Sequence, residues 1–519
     1  MTAGARAASP PPAGDGDLNP ELADVARLLR RLVRQAVSAA RAEEDSVRHL
    51  LTSYLGPQVA ASPVANGFWP RYDQVNVQAG LDAWLAGPGR EHRIAGLTGL
   101  HHQLSSGLAD LAAPGPAQRH SGIGSVTTVA LPSGPDGATR PCVQCALYLV
   151  TDADGRLVIL VRPDEDAVLI EVACPAYDRG QRVVAEIRRL AVEHNVFRGH
   201  VVGFGADVFG HRRGTLLSFL GRPEVGRDQV ILPAEVLDAV ERQVIGVARH
   251  ASRLLASGQH LKRGVLLHGA PGTGKTHTIR YLLGQLTGTT VVVLSGAALR
   301  LISEACSVAR TLQPSMIVVE DVDLIAEERG GRMGQHPLLF QLLNEMDGLA
   351  PDANVTFLLT TNRADLLEPA LAERPGRVDH AALLPLPDAD ARSRLLRLYQ
   401  ANLDLPGSGL DAVIARTEGV TASFLKELLR RAALLAATSG SGPERAGAEG
   451  TGADGTGARL RVTDEHLTAA LDELLDSRNQ LTRVLLGAAP RGGRQGTAMG
   501  AEVVIPARRT PPPDWPLRR

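Results

Sequence analysis

The chain has 519 residues, too many for one ordinary core, and this length suggests two to four domains. A hydrophobic share of 44% supplies apolar surface for real cores; with 3% aromatics, those cores must be built from Ala, Leu, Val and Ile. The 55 basic and 56 acidic residues leave a formal charge of −1, which argues against a protein whose main task is to grip nucleic acid or an anionic bilayer.

The N-terminal residues 1–18, rich in Pro, Ala and Gly, are expected to be disordered. They show no hydrophobic segment of a secretory signal, and no apolar run approaches the ~20 residues of a membrane span, so the expected location is the cytoplasm. From Glu21, Leu22, Val25, Leu28, Leu29, Leu32, Val33 and Val37 recur at helical spacing, and Val47, Leu50, Leu51, Tyr54 and Leu55 predict a second helical stretch. Cys142 and Cys145 form a lone CxxC without a second pair at ligand spacing, and read as small residues at a strand start. Ala146 to Val150, an Asp152–Gly155 turn, Leu157 to Val161 and Val168 to Val172 predict three strands, with a helix over Gln181 to His194. Gly203, Gly205 and Gly210 read as turn glycines, because no strand–GxGxxG–helix order surrounds them.

Residues 228–437 change character. Strands at Gly264–His268, Thr290–Leu294, Met316–Val319 and Val355–Thr360 alternate with helical segments, the pattern of a parallel sheet with crossover helices. Helical periodicity continues to Ala437 and resumes behind Thr463, an expected N-cap, through Leu467, Leu471 and Leu474. Between them, 438–458 reads as a flexible insert, and the tail from Gly487 as disordered.

The chemistry is carried by two segments. Gly269, Ala270, Pro271, Gly272, Thr273, Gly274, Lys275 and Thr276 match G-x-x-x-x-G-K-[ST] in full, behind the apolar strand Val265–Leu267 and ahead of a helix that opens with His277; the stretch 269–277 is the expected nucleotide-binding site. The glycines let backbone N–H groups converge on phosphate oxygens at the positive end of the helix; Lys275 neutralises the β- and γ-phosphates and Thr276 ligates Mg²⁺. Only Lys262, Lys275 and Lys426 are lysines in a chain otherwise served by arginine, so a lysine here is not incidental. The second segment is the buried strand Met316–Val319, which ends in Glu320-Asp321-Val322-Asp323. Carboxylates at such a strand end lie beside the ligand crevice of open α/β sheets, one to hold Mg²⁺ through its water and another to orient the attacking water.

With these motifs in place, the chain resembles the AAA branch of the AAA+ ATPases over roughly 228–437 and 459–486: GAPGTGKT at 269–276, PSMIVVEDVD at 314–323, NEMDG at 344–348, TTNRADLLEPAL at 360–371, RPGRVDH at 374–380 and GVTASFLKELLRRAALLA at 419–436. The resemblance implies a P-loop three-layer α/β core (226–385), a helical lid (386–486) and ATP and Mg²⁺ as ligands. Outside its reach, 19–225 reads as a helical hairpin and small α/β domain, expected to choose the protein partner that hydrolysis remodels. The resemblance further implies Glu320 at the metal water, Asp321 as catalytic carboxylate, Asn362 as the polar sensor near the γ-phosphate, and Arg374 and Arg377 as fingers reaching a neighbour's nucleotide in a homo-oligomeric ring, usually a hexamer. Ala422 and Ser423 fall where this branch carries small residues near the nucleotide. Three departures bear on activity. The family's Asp-Glu order is here Glu320-Asp321, which shortens the catalytic reach by about 1.5 Å, and misplacement of that order costs about 10²-fold in rate; because a branch with the same order is taken to be active, slow hydrolysis is expected. The stretch 295–304 has no pore aromatic, and leaves Leu301 and Ile302 to line a pore. No HExxH protease motif is present. A non-enzymatic alternative is an ATP-controlled assembly scaffold; a nucleic-acid motor has only the P-loop in its favour.

Overall fold

The computed structural model describes residues 46–98, 107–113, 122–164, 167–205, 216–324, 337–365, 377–406, 409–439 and 459–476. The expected helix from Glu21, the disordered ends, residues 440–458 of the expected 438–458 insert, Gly210 and Arg374 lie outside them, whereas Thr438 and Ser439, expected in that insert, end and cap a helix. Two compact units are formed: one from the chain up to Gly269 and Lys275–Leu384, the other from Ala270–Gly274 and the chain after Pro385.

The first unit contains two sheets. The N-terminal one is antiparallel, in the order β1 (Val64–Pro70), β7 (Ala167–Ala173), β6 (Gly155–Asp164), β5 (Thr139–Asp152), β2 (Glu91–Thr98), β3 (Gly122–Gly124), with β4 (Thr127–Pro132) on the first half of β5. The expected hairpin is β5–β6, where Asp152 pairs with Gly155 and the glycine takes φ +105°. Strand alternation divides the core: Tyr148, Val150, Leu157 and Ile159 face α2 (Gln74–Leu85) and α4 (Tyr177–Glu193), while Leu147, Leu149, Val158 and Leu160 face α1 (Val47–Leu55) and α3 (Leu108–Ala112). Helix α2 has no amphipathic signature because it is buried almost all round. Its Gln78 Oε1 accepts from Val143 N–H (2.9 Å) and Gln74 Nε2 donates to Val143 O (3.2 Å), so two side chains stand in for a strand beside a bulge in β5. Cys142 and Cys145 flank that bulge inside the strand, not at its start, and burial pushes both thiols up to about 11, which keeps them neutral.

The second sheet runs β14 (His380–Leu383), β10 (Arg263–His268), β13 (Val355–Thr361), β12 (Ser315–Val319), β11 (Thr290–Leu294), β8 (Val201–Gly205), β9 (Leu216–Leu220), parallel except for β9. This is the expected parallel α/β sheet with crossover helices. One face buries Val265, Leu267, Val318 and Leu358 under α5 (Ala234–Glu241), α6 (Val247–Ala256) and α7 (Lys275–Gln285). The other buries Leu266, Ile317, Phe357 and Leu359 under α8 (Ile302–Thr311) and α9 (Pro337–Asp347). Gly203 and Gly205, expected in turns, lie in β8, because that strand pairs with β11 through Val201–Gly203. The parallel sheet therefore begins at Val201, and the expected division at 225/226 falls after two of its strands. Nor are the sheets separately cored: Val75 and Cys142 share one apolar cluster with Phe197, Val202, Phe204 and Leu217, and the Tyr72 and Phe204 rings meet edge-on at 5.7 Å.

The second unit is helical: α10 (Ala389–Gln400), α11 (Gly409–Arg416), α12 (Ala422–Thr438) and α13 (Asp464–Leu475), with a short parallel pair β15 (Leu403–Asp404) and β16 (Leu460–Arg461). Thr463 caps α13 as expected, its Oγ1 accepting from His466 N–H. No helix among the described residues is long and apolar enough to cross a membrane.

Candidate nucleotide site

Strand β10 runs into Gly269, whose φ is +146°; Gly272 and Gly274 follow at +81° and +103°, and α7 starts at Lys275. L-residues rarely adopt these angles, which is why the loop is spelled with glycine at those three places. Gly272 has a second reason: a Cβ there would approach Thr421 Oγ1 and the Ser423 side chain to 2.9 Å, and its carbonyl accepts from Ser423 N–H at 3.2 Å. Lys275 is 7% exposed and donates from Nζ to Gly269 O (2.9 Å), spanning the loop it belongs to. Burial lowers its pKa, and the charges of Asp321 and Asp323 oppose that shift. His277 is tethered elsewhere, its Nε2–H donating to Gln229 O (3.0 Å).

The fully buried β12 delivers the acids. The Thr276 hydroxyl donates to the Glu320 carboxylate, which burial, and next the charge of Asp321, raises above an ordinary glutamate. The chain then turns sharply: Asp321 takes φ +52°, held by its N–H donating to Thr360 Oγ1 (2.9 Å) and by Val322 N–H donating to Thr360 O (2.8 Å). That left-handed residue is a strained one, over-determined by its neighbours. Asn362 Nδ2 donates to Asp321 Oδ1 at 3.2 Å. Lys275, Thr276, Glu320, Asp321 and Asn362, drawn from three segments, thus converge.

Sequence reasoning left Asp323 without a role. It is buried, and its Oδ1 accepts from Thr361 Oγ1 (3.0 Å) and from Asn362 N–H (3.3 Å), fixing the backbone from which Asn362 reaches Asp321. Its signal was available as the third acid of the EDVD run. Two other expected residues are placed inside the fold of the chain itself. Arg377, expected as a finger, is 4% exposed and forks onto Asp347 of its own chain, with Nη2–Oδ2 at 2.8 Å and Nε at 3.2 Å from both oxygens. Ile302, expected with Leu301 to line a pore, is fully buried at the start of α8, and Leu301, the last residue of the preceding 3-10 turn, is partly buried against the same core.

The residues fit a magnesium nucleotide. The positive-φ loop and the helix start form a phosphate cradle, and Thr276 with Glu320 offers the one or two protein oxygens that Mg²⁺ uses beside phosphates and waters. Among the described residues, no group of three or more His, Cys, Asp or Glu makes a self-sufficient metal cage.

Comparison with known proteins agrees with this geometry. Residues 265–386 match the family model described as "ATPase family associated with various cellular activities (AAA)". The chain is 33% identical over 245 residues to ATP-dependent zinc metalloprotease FtsH 3 of Sphaerobacter thermophilus, covering 44% of this chain and 49% of that protein. It is 32% identical over 232 residues to the proteasome-activating nucleotidase of Pyrococcus horikoshii, covering 42% and 53%, and 32% identical over 252 residues to the FtsH metalloprotease of Akkermansia muciniphila, covering 46% and 30%. The chain thus spans about half or less of these curated relatives.

Proposed function

With residues 265–386 a domain of the AAA ATPase family, we propose that the whole chain binds and hydrolyses ATP with Mg²⁺, assembles as a homo-oligomeric ring, a hexamer by family habit, and uses turnover to remodel a protein partner in the cytoplasm. The observation that carries this reading is the meeting of Asn362 with Asp321 beside the Thr276–Glu320 pair and buried Lys275.

In this reading Lys275 leaves the Gly269 carbonyl for the β- and γ-phosphates, exchanging one hydrogen bond for a charge-assisted one. Mg²⁺ supplies charge neutralisation at the phosphates, and Thr276 and Glu320 are the residues that would hold it. Asp321 and Asn362 orient the attacking water, one accepting its proton and the other fixing the carboxylate. Asp321 lacks the methylene of the usual glutamate, so hydrolysis is slow. Arg374 acts as the trans finger, and Arg377 supports it from inside its own subunit. His277 positions the chain near Gln229 and does not touch phosphate.

The in-chain engagement of Arg377 favours a second reading, an ATP-controlled scaffold that rarely hydrolyses. Asp321→Asn separates the two. The enzyme is expected to lose phosphate release by about 10²-fold or more while retaining ATP binding and accumulating ATP-bound assemblies on a sizing column. Turnover that survives the change refutes the assignment of the carboxylate, and a wild type with no turnover at any protein concentration leaves the scaffold.

A further inference from the structure

The N-terminal sheet has an edge that α4 does not close. Strand β1 is the terminal strand of its sheet among the described residues, paired on one side only, with β7. Between its open side and the outward face of α4 runs a groove of about 560 Å³ lined by Asn66, Val184, Ala185, Arg188, Arg189 and Val192. Beyond Arg188 and Val192 it continues into a cavity of about 210 Å³ that reaches Ser307 and Thr311 on α8. The floor is aliphatic and the rim is basic. Arg189 is already paired with Glu193 (2.6 Å). Arg188 has no carboxylate at ion-pair distance among the described residues: it lies 4.3 Å over the Trp69 ring and donates to Phe68 O (3.0 Å), and the Asp73 carboxylate of the adjoining cavity feels its charge only at longer range. Phe68 on the same strand is 58% exposed.

We propose that this groove binds an extended segment of a protein partner by strand addition to β1, with an acidic side chain of the segment on Arg188 and aliphatic ones two residues to either side of it, one on Val184 and one on Val192. Added strands gain affinity from main-chain hydrogen bonds and specificity from alternate side chains, which fall on one face at that spacing. A guanidinium stacked on an aromatic ring is already ordered, so a carboxylate meets a preformed fork and less rotamer freedom is lost on binding. A second copy of this chain fits less well: β1 itself, Val64-Ala-Asn-Gly-Phe-Trp-Pro70, carries no carboxylate to offer Arg188. An aliphatic floor likewise gives a phosphate backbone nothing to bind.

The inference goes beyond the ATPase reading, since strand addition requires no nucleotide; the test is therefore made without ATP, and its failure leaves that reading standing. Full-length protein is titrated by fluorescence anisotropy with the labelled peptide Thr-Val-Thr-Asp-Thr-Val-Thr, with the same peptide carrying a central lysine, and with the aspartate peptide N-methylated at alternate residues. The aspartate peptide is expected to bind about tenfold tighter than either control, the scale of one charge-assisted contact. Arg188→Glu is expected to reverse the preference between aspartate and lysine. Ala185→Trp, a filling change at an exposed helix position, is expected to weaken both peptides without changing the melting temperature. Equal binding of the aspartate and lysine peptides, indifference to N-methylation, or binding untouched by Ala185→Trp overturns the proposal. So does a wild-type dimer on sizing that Arg188→Glu dissociates, which would assign the edge to a second copy.

Discussion

Asp321 and Arg377 show how single side chains here are defined by what holds them. Asp321 sits in a left-handed conformation that costs on the order of 1–3 kcal/mol, and it is kept there by Thr360 from below and Asn362 from the side. Arg377 is fixed just as firmly by Asp347. A finger that acts only in trans can be removed without unfolding its own subunit; a buried, forked guanidinium cannot. Arg377→Ala is therefore expected to lower unfolding free energy by about 2–3 kcal/mol, read as a shift in urea midpoint, because it strands a carboxylate that had charge-assisted bonds. A variant that melts like wild type while losing turnover would return Arg377 to the finger role. Asp73, ahead of α2, gives the pH prediction. Burial raises its pKa to about 6, against the opposing Asn76 hydrogen bond and the charge of Arg188. A raised acid pKa contributes stability that is fully present below the unfolded value near 3.8 and is lost as pH rises through about 6. Asp73→Asn keeps an acceptor for Asn76 and removes this term. It is expected to match wild type near pH 4 and to exceed it by on the order of 1 kcal/mol at pH 7, after allowance for solvent at a partly exposed side chain. Equal differences at both pH values would refute the titration.

At the scale of elements, the phosphate loop depends on what anchors the far end of its helix. Arg222, between β9 and α5, donates to Leu283 O (2.6 Å) and Leu286 O (2.8 Å) at the end of α7, to Thr289 O (3.1 Å) ahead of β11, and to Gly199 O (2.9 Å) ahead of β8. Burial lowers its pKa because no carboxylate accompanies it; carbonyl dipoles do the work of a counter-ion. One planar fork thus ties a helix C-terminus to two strand starts. Arg222→Met is expected to cost roughly 3 kcal/mol by chemical denaturation, and Arg222→Lys to recover only part of it, since a point-like ammonium cannot span four acceptors. Full recovery by lysine would show that charge alone matters there. Elements also explain what a sequence reader sees. Strands β10 to β13 and the loop were legible because buried parallel strands and a phosphate turn have local signatures. Helix α2 was not, because Gln74, Asn76 and Gln78 look like a polar face yet serve a bulge and a loop more than sixty positions away.

For the whole molecule, the shared apolar cluster is decisive. Phe204 and Leu217 on β8 and β9 are buried with Val75 and Cys142 of the N-terminal layer, so the regions expected as two domains have one core between them. A chain beginning at residue 226, the expected boundary, would lose both strands and Arg222 and expose the flank of β11. It is expected to aggregate on sizing, at concentrations where the full chain elutes in discrete species; a soluble, ATP-binding product would show that the boundary is real.

The amino-acid sequence alone determined the phosphate loop, the acidic strand end and the α/β class, because each is encoded within a few consecutive residues whose backbone angles or burial admit few alternatives. Only the tertiary structure decided that Arg377 turns inward, that Asp323 braces Asn362, that β8 and β9 join the parallel sheet and that Arg188 lies over the Trp69 ring. Each of these depends on residues distant in the chain meeting in space, and no local pattern records which partner a charge will find.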